Sequence, residues 1–197
     1  SNEYTGYTVK VNLSEFYSSL KDSYSQSYAI LGGINTVSSI NTAEINADYT
    51  AGEHPVEDTD VIETLGIAVF NGDKLVGELN ALETISYLAI RNDVNRFLVS
   101  VPSPYQTDSY LDIYLTPENS VKISVDTSNG TPYLKLKAKF SGRIYSASDN
   151  SDFSDPDILK QISDSCNRYL EEVFSDFLYK TSKELKSDIC GLGKYAL

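Results

Sequence analysis

The chain is poor in the residues on which much enzymatic and metal chemistry relies: its 197 residues hold no Met, no Trp, one His and two Cys. Nucleophilic catalysis by a Ser/His/Asp or Cys/His constellation needs a rigidly held base. The one histidine, His54, stands instead in the acidic, proline-broken stretch from Gly52 to Glu63, which reads as a surface linker. No run of about 18 apolar residues exists, so no segment reads as a membrane-spanning helix. The start, Ser1-Asn2-Glu3-Tyr4, carries neither an initiator Met nor a signal peptide, and the chain reads as a fragment or a mature product. Positive charge is also scarce. With 16 Lys and Arg against 28 Asp and Glu the net charge is −12, which repels phosphate backbones over the surface as a whole and argues against nucleic acid as a partner.

Recognisable ligand motifs are missing as well. Gly32-Gly33 lacks the Lys-Ser/Thr of a phosphate loop, and Gly191-Leu192-Gly193 follows a helical pattern rather than opening one. Glu53, His54, Glu57, Asp58 and Asp60 could offer oxygen to a cation, but no turn glycine or ligand spacing organises them. Asp149, Asp152, Asp155 and Asp157 fail the calcium-loop pattern, because Phe153 occupies a ligand position and no Glu closes the loop. Helix initiation accounts for that tract. No cofactor or metal is expected, and the chain does not read as an enzyme. Cys166 and Cys190 both fall in the C-terminal helical pattern; along an unbroken helix their 24-residue separation would be about 36 Å, so they are expected to be unpaired thiols.

Hydrophobic periodicity describes what is present. Tyr7 to Val11 alternates like a short strand, and Asn12 with Glu15 forms a capping pair for a helix carrying Phe16, Leu20 and Tyr24. Tyr28 to Leu31 suits a strand or a helix end. Leu65 to Leu79 contains two apolar runs around Asn71-Gly72, which predicts a hairpin with a type I′ turn. Asn80 then caps a helix whose Leu82, Ile85, Leu88 and Ala89 share a face. Strands are expected at Phe97–Val101, Tyr110–Leu115, Val121–Val125 and Tyr133–Phe140, forming a consecutive antiparallel meander with one dry face. Its cover is a helix of some thirty residues from Pro156 toward Gly191, with Ile158, Ile162, Cys166, Leu170, Phe174 and Phe177 on its apolar stripe. The fold class is α+β: an antiparallel, meander-rich sheet with a long C-terminal helix and a shorter helix packed on one face.

Two of these motifs carry a resemblance. The segment Leu65–Leu79, and Lys186-Ser187-Asp188-Ile189-Cys190-Gly191-Leu192-Gly193 after the long helix, are similar to elements of the C-terminal domain of spore germination receptor C-subunits, the Ger(x)C or GerAC-like lipoproteins. The resemblance implies a division into residues 1–50 as part of a preceding domain, 51–60 as an acidic linker and 61–197 as the C-terminal domain. It implies a non-catalytic subunit of a nutrient germinant receptor, acting with membrane-embedded A- and B-subunits at the outer face of the spore inner membrane. The family's tether is a lipid on an N-terminal Cys, which this chain does not include. Relatives continue past the Gly-x-Gly element into a Trp-containing segment and a final strand, so the chain is expected to be truncated and a sheet edge left open or filled by residues 7 to 11 or a neighbouring molecule. An extracytoplasmic lipoprotein solute-binding module is the alternative; it calls for a concave site with convergent polar groups.

Two surface features are candidates for contact. Lys135, Lys137 and Lys139, with Arg143 in phase, form a basic row that could meet an acidic partner or anionic headgroups, although lysines also serve to guard a strand edge. Tyr105, Tyr110 and Tyr114 could form an aromatic contact patch or be ordinary half-buried strand residues.

Overall fold

The computed structural model describes residues 7–22, 24–35, 49–53, 61–127, 133–148 and 152–195. His54, Glu57, Asp58, Asp60, Asp149 and the turn read at residues 128–132 lie outside the described residues. Helix α1, Leu13–Ser19, starts at Asn12, whose side chain accepts from the Glu15 amide while Glu15 returns a bond to the Asn12 amide. Three strands follow, β1 (Tyr28–Asn35), β2 (Val61–Asn71) and β3 (Lys74–Leu79), in the sheet order β1-β2-β3. Helix α2 (Ala81–Arg91) has the same reciprocal cap, made by Asn80 and Glu83, and ends on Asn92 in the left-handed conformation. Then come β4 (Phe97–Pro102), β5 (Tyr110–Pro117), β6 (Lys122–Asp126), β7 (Tyr133–Lys137) and β8 (Phe140–Ala147). Helix α3 (Pro156–Tyr179), with Pro156 in its first turn and Asp155 as its cap, closes the set. The protein is an α+β fold of antiparallel sheets with a long C-terminal helix.

The strand pairing departs from a consecutive meander. β5 pairs with β8 in a sheet of order β4-β5-β8, and β6 and β7 form a separate two-stranded hairpin between them. The expected strand Tyr133–Phe140 is two strands interrupted at Ala138-Lys139. Burial explains why: Phe140 stacks edge-on against the buried Phe97 at 5.5 Å and lies 6.2 Å from Phe174, so β8 is drawn over the core. The β6–β7 hairpin is tied to the core through the aliphatic Leu136 instead.

The long helix also stops sooner than its pattern suggests. After Tyr179 the backbone passes through a π-turn at Lys180–Glu184, and Lys186 adopts a left-handed conformation. Gly191, read as the helix stop, instead lies in the turn beyond, at φ 66°. The linear-helix distance between Cys166 and Cys190 therefore does not apply. Both are nevertheless free, buried thiols.

Residues 7 to 11 do not form a strand. Thr8 makes one parallel bridge to Gly66, whose amide donates to the Tyr7 carbonyl at 2.8 Å, while Val9 sinks into the core at 2% exposure. Gly66 sits where the β1–β2 register shifts, at φ 91°, and a Cβ there would meet the Leu79 carbonyl oxygen at 2.2 Å. Only glycine satisfies both conditions. Because Gly66 lies inside β2, this segment plugs a bulge rather than replacing an edge strand. The same core takes residues from β2, β3, α2, β4, β5 and α3, together with Ile189 and Cys190.

The β2–β3 turn and the terminal segment are clasped together. The loop is Gly72-Asp73, with Asn71 paired to Lys74, and positive φ occurs at Gly72 but not at Asp73. This is the φ pattern of a type II′ rather than a type I′ turn. Asn71 stays in the strand, which leaves its side-chain amide to donate to the Lys186 carbonyl at 3.0 Å. The buried Ser187 hydroxyl donates to the Phe70 carbonyl at 2.6 Å, and Gln26 ties both partners: its amide reaches the Asp188 carbonyl and its side chain accepts from the Gly72 amide. Ser187→Ala removes a single hydroxyl and leaves Phe70 short of a donor. It should lower urea-unfolding stability by about 1–3 kcal/mol; an unchanged unfolding midpoint would show that the clasp contributes nothing.

Candidate interaction surface

Alternation along β7 exposes Lys135 and Lys137 and turns Leu134 and Leu136 inward, with Leu136 packed against the core. In the antiparallel hairpin Lys137 faces Lys122, and Lys135 faces Ser124. Directly opposed residues share a face. The structure therefore adds Lys122, which lies on a different strand, to the expected basic row. Register is a tertiary property, and its sequence signal, Lys122 in the exposed phase of the preceding strand, becomes legible once the hairpin is aligned.

The other two members of the row go elsewhere. Lys139 lies between strands, where its ammonium meets a Glu118 carboxylate oxygen at 2.6 Å and its carbonyl accepts from the Glu118 amide. Arg143 is exposed on β8, opposite Tyr114 of β5, in the other sheet. The hairpin thus concentrates Lys122, Lys135 and Lys137, while the strand break separates Lys139 and Arg143 from them.

The tyrosine patch is likewise divided. Tyr105 donates to the Ile158 carbonyl of α3 at 3.2 Å, and Tyr110 stands exposed at the start of β5. Tyr114 packs edge-on against Tyr145 at 5.1 Å, and the Arg96 guanidinium lies 4.6 Å from its ring centroid. Beside it the two oxygens of Asp112 accept from Ser100 at 2.6 Å and Ser146 at 2.5 Å. Burial first, and then the neighbouring Tyr114 and Asp112, raise the Tyr7 phenol pKa, which places the N-terminal segment beside this group.

The acidic residues have local roles. Glu53 accepts from both the amide and the hydroxyl of Thr50, which lowers its pKa. Asp152 does the same with Ser154, and Asp155 caps α3 through the Asp157 amide. Among the described residues, no group of three or more His, Cys, Asp or Glu side chains could hold a metal ion. No helix there is long and apolar enough to cross a membrane. The described residues also enclose concavities. One, of about 540 Å³, opens between α1 and the terminal turn and has Glu15, Asp22, Arg91 and Lys194 along its sides. Another, of about 340 Å³, lies against Tyr87 and Thr8.

A family model described as spore germination B3/GerAC-like, C-terminal, matches residues 65–196. The chain belongs to this family. The match begins within β2 and ends at the terminal turn, so it spans both halves of the clasp. A crystal structure of the GerBC protein resembles the chain with a TM-score of 0.53 and 20% identity, over 68% of this chain and 42% of that one. At that identity the likeness shows the fold. The germination-family chain thus spans less than half the length of the GerBC chain. No curated protein matches it. The family is one of spore germination proteins.

Neither thiol is arranged as a nucleophile. Burial raises the Cys166 pKa; burial and the Asp188 carboxylate, partly opposed by Arg91, push Cys190 up to about 12. A thiol whose folded pKa exceeds its unfolded value supports the fold fully below the unfolded pKa, and this support is lost as pH rises through the folded value. Both cysteines should resist a thiol-specific disulfide reagent at pH 8 until denaturant is added; rapid labelling of the folded chain would contradict the buried placement. Lys122 and Lys137 are like charges directly opposed, which costs a hairpin roughly 0.2–1 kcal/mol. Lys137→Glu should therefore raise thermal stability at low salt, with the gain shrinking as salt is added. A fall in stability at low salt would contradict the register.

Proposed function

We propose that the chain is part of a non-catalytic subunit of a nutrient germinant receptor and acts through protein–protein contacts at the outer face of the spore inner membrane. The observation that carries the reading is the family match over residues 65–196. In this reading the full-length protein is held to the membrane by an N-terminal lipid and associates with the receptor's polytopic A-subunit and its transporter-like B-subunit. Residues 1–50 are the end of a preceding segment whose last strand docks on β2, residues 51–60 are the acidic connection, and residues 61–197 are the C-terminal domain.

The contact surface we assign is the β6–β7 hairpin. On a chain of net charge −12, the exposed lysines at 122, 135 and 137 are a local reversal of sign. A local cationic face favours an acidic partner surface and speeds encounter with it, while the rest of the molecule repels the same partner. Keeping Lys122 opposite Lys137 despite their repulsion fits a face retained for binding. Lys139, engaged by Glu118, and Arg143, on the other sheet, contribute less to this face than their sequence phase suggests.

The alternative, an extracytoplasmic solute-binding module, needs convergent polar groups in a concave site, and the cavity beside Tyr87 supplies the observation in its favour. The receptor reading is tested by co-purifying full-length protein with A- and B-subunits from spore membranes. Changing Lys122, Lys135 and Lys137 together to Glu should abolish co-purification while the circular dichroism spectrum is retained, and Lys139→Glu should leave association intact. Full recovery of the triple variant with its partners would rule out the hairpin as the contact.

A further inference from the structure

Two asparagines in the chain are followed by glycine, Asn71 and Asn129. Asn-Gly is the pair most open to attack of a backbone nitrogen on the preceding side-chain amide, because glycine has no Cβ to shield that nitrogen. Asn129 lies outside the described residues. Asn71 and Gly72 are both exposed to water at the β2–β3 turn, and the space beside Gly72 is open.

The clasp ties down both groups that would react. The attacking atom is the Gly72 nitrogen, whose N–H donates to the Gln26 side-chain oxygen at 3.0 Å. The departing atom is Asn71 Nδ2, which donates to the Lys186 carbonyl at 3.0 Å. Ring closure requires the Asn71 side chain to leave Lys186 and swing onto Gly72, and Gln26 to release the N–H. These two exposed bonds are backed by deeper ones: the buried Ser187 hydroxyl donates to the Phe70 carbonyl next to Asn71, and the Gln26 amide donates to the Asp188 carbonyl. Reaction is therefore confined to molecules in which the clasp has opened, and its rate follows the population of that locally open form.

In the open form the Gly72 nitrogen bonds to Asn71 Cγ while the Cγ–Nδ2 bond breaks. The backbone amide proton leaves with the side-chain amine as ammonia, and a succinimide remains. Water then adds to one ring carbonyl and the C–N bond there breaks, which restores the N–H. Cleavage at Cγ gives aspartate, and cleavage at the backbone carbonyl gives isoaspartate. In either case the carboxyl proton passes to the ammonia, so the net change is amide and water to carboxylate and ammonium. The product no longer has the donor that met Lys186 and sets a negative oxygen toward that carbonyl instead. Lys74, directly opposite residue 71 in the hairpin, offers the new carboxylate a cation on the same face. Residue 71 passes from the clasp to the hairpin, and loss of ammonia makes the change one-way.

We infer that Asn71-Gly72 is a modification site where spontaneous deamidation, gated by the clasp, irreversibly frees the terminal segment from the β2–β3 turn. The site goes beyond the subunit reading and does not depend on the lysine hairpin. It is tested by ageing the whole 197-residue chain at pH 8, with and without urea, and following the peptides that carry Asn71 and Asn129 by mass spectrometry. Asn71 should convert to the acid at least about fivefold more slowly in the folded chain than in urea. Ser187→Ala and Gln26→Ala should each speed its conversion in the folded chain roughly three- to tenfold, the loss of one hydrogen bond, and leave Asn129 unchanged. Gln26 is only half-buried, so its variant carries the comparison alone if Ser187→Ala does not fold. Asn71→Asp should speed hydrogen exchange at the Gly72 and Gln26 amides and leave the core amide of Ile67 as slow as before. Four results would overturn the inference: equal rates at Asn71 with and without urea, no conversion in urea, an unchanged rate in Gln26→Ala, or unaltered exchange in Asn71→Asp. Equal acceleration of Asn129 in the variants would do so too, since it would mark global unfolding as the route.

Discussion

The constraint on which the rest of the structure depends is the clasp between the β2–β3 turn and the segment after the long helix. Phe70, Asn71 and Gly72 meet Lys186 and Ser187, with Gln26 bonded to both sides. Each bond is individually modest, but Ser187 is buried and its partner is a strand carbonyl, so losing it would strand a polar group inside. The clasp returns the chain from α3 to the first sheet, where Leu185 packs into the space left open at Gly77. It also gives the terminal motif a physical meaning: Ser187 fastens the turn, while Asp188 accepts from the Leu192 and Gly193 amides and shapes the closing 3-10 turn.

A second tie fixes the two helices. The Lys180 ammonium contacts both oxygens of Glu83 at 2.8 Å, and Glu83 simultaneously completes the α2 cap through the Asn80 amide. One carboxylate therefore serves the start of α2 and the end of α3. Between them α2 is buried almost all the way round from Thr84 to Ile90, far more than a one-faced amphipathic helix would be. The C-terminal end of α2 is consequently rigid, and the polar groups just beyond it, Asn92 and Asp93, are held in place beside the Tyr87 cavity.

Legibility differed from feature to feature for identifiable reasons. Both asparagine caps and the proline-led start of α3 are local chemistry, and each sits where its sequence pattern places it. The lysine alternation on β7 is equally local. The recruitment of Lys122 and the loss of Lys139 and Arg143 from the row are not, because they depend on β6–β7 register and on Phe140 pulling β8 into a different sheet. The tyrosines behaved similarly. Tyr114 found Tyr145, a residue on a strand whose pairing with β5 skips two intervening strands.

By itself the sequence determined the α+β class, the hairpin, the helix starts and the family, because capping, turn chemistry and periodicity act over a few residues and motifs carry ancestry. Tertiary structure alone decided the sheet order, the early end of α3, the type II′ turn and the entry of Val9 into the core. Those outcomes depend on which distant groups compete for the same buried space and the same backbone partners. Ser187 reaching Phe70, and Val9 of the N-terminal segment entering the core, are matters of packing between remote segments, and no local pattern of residues records them.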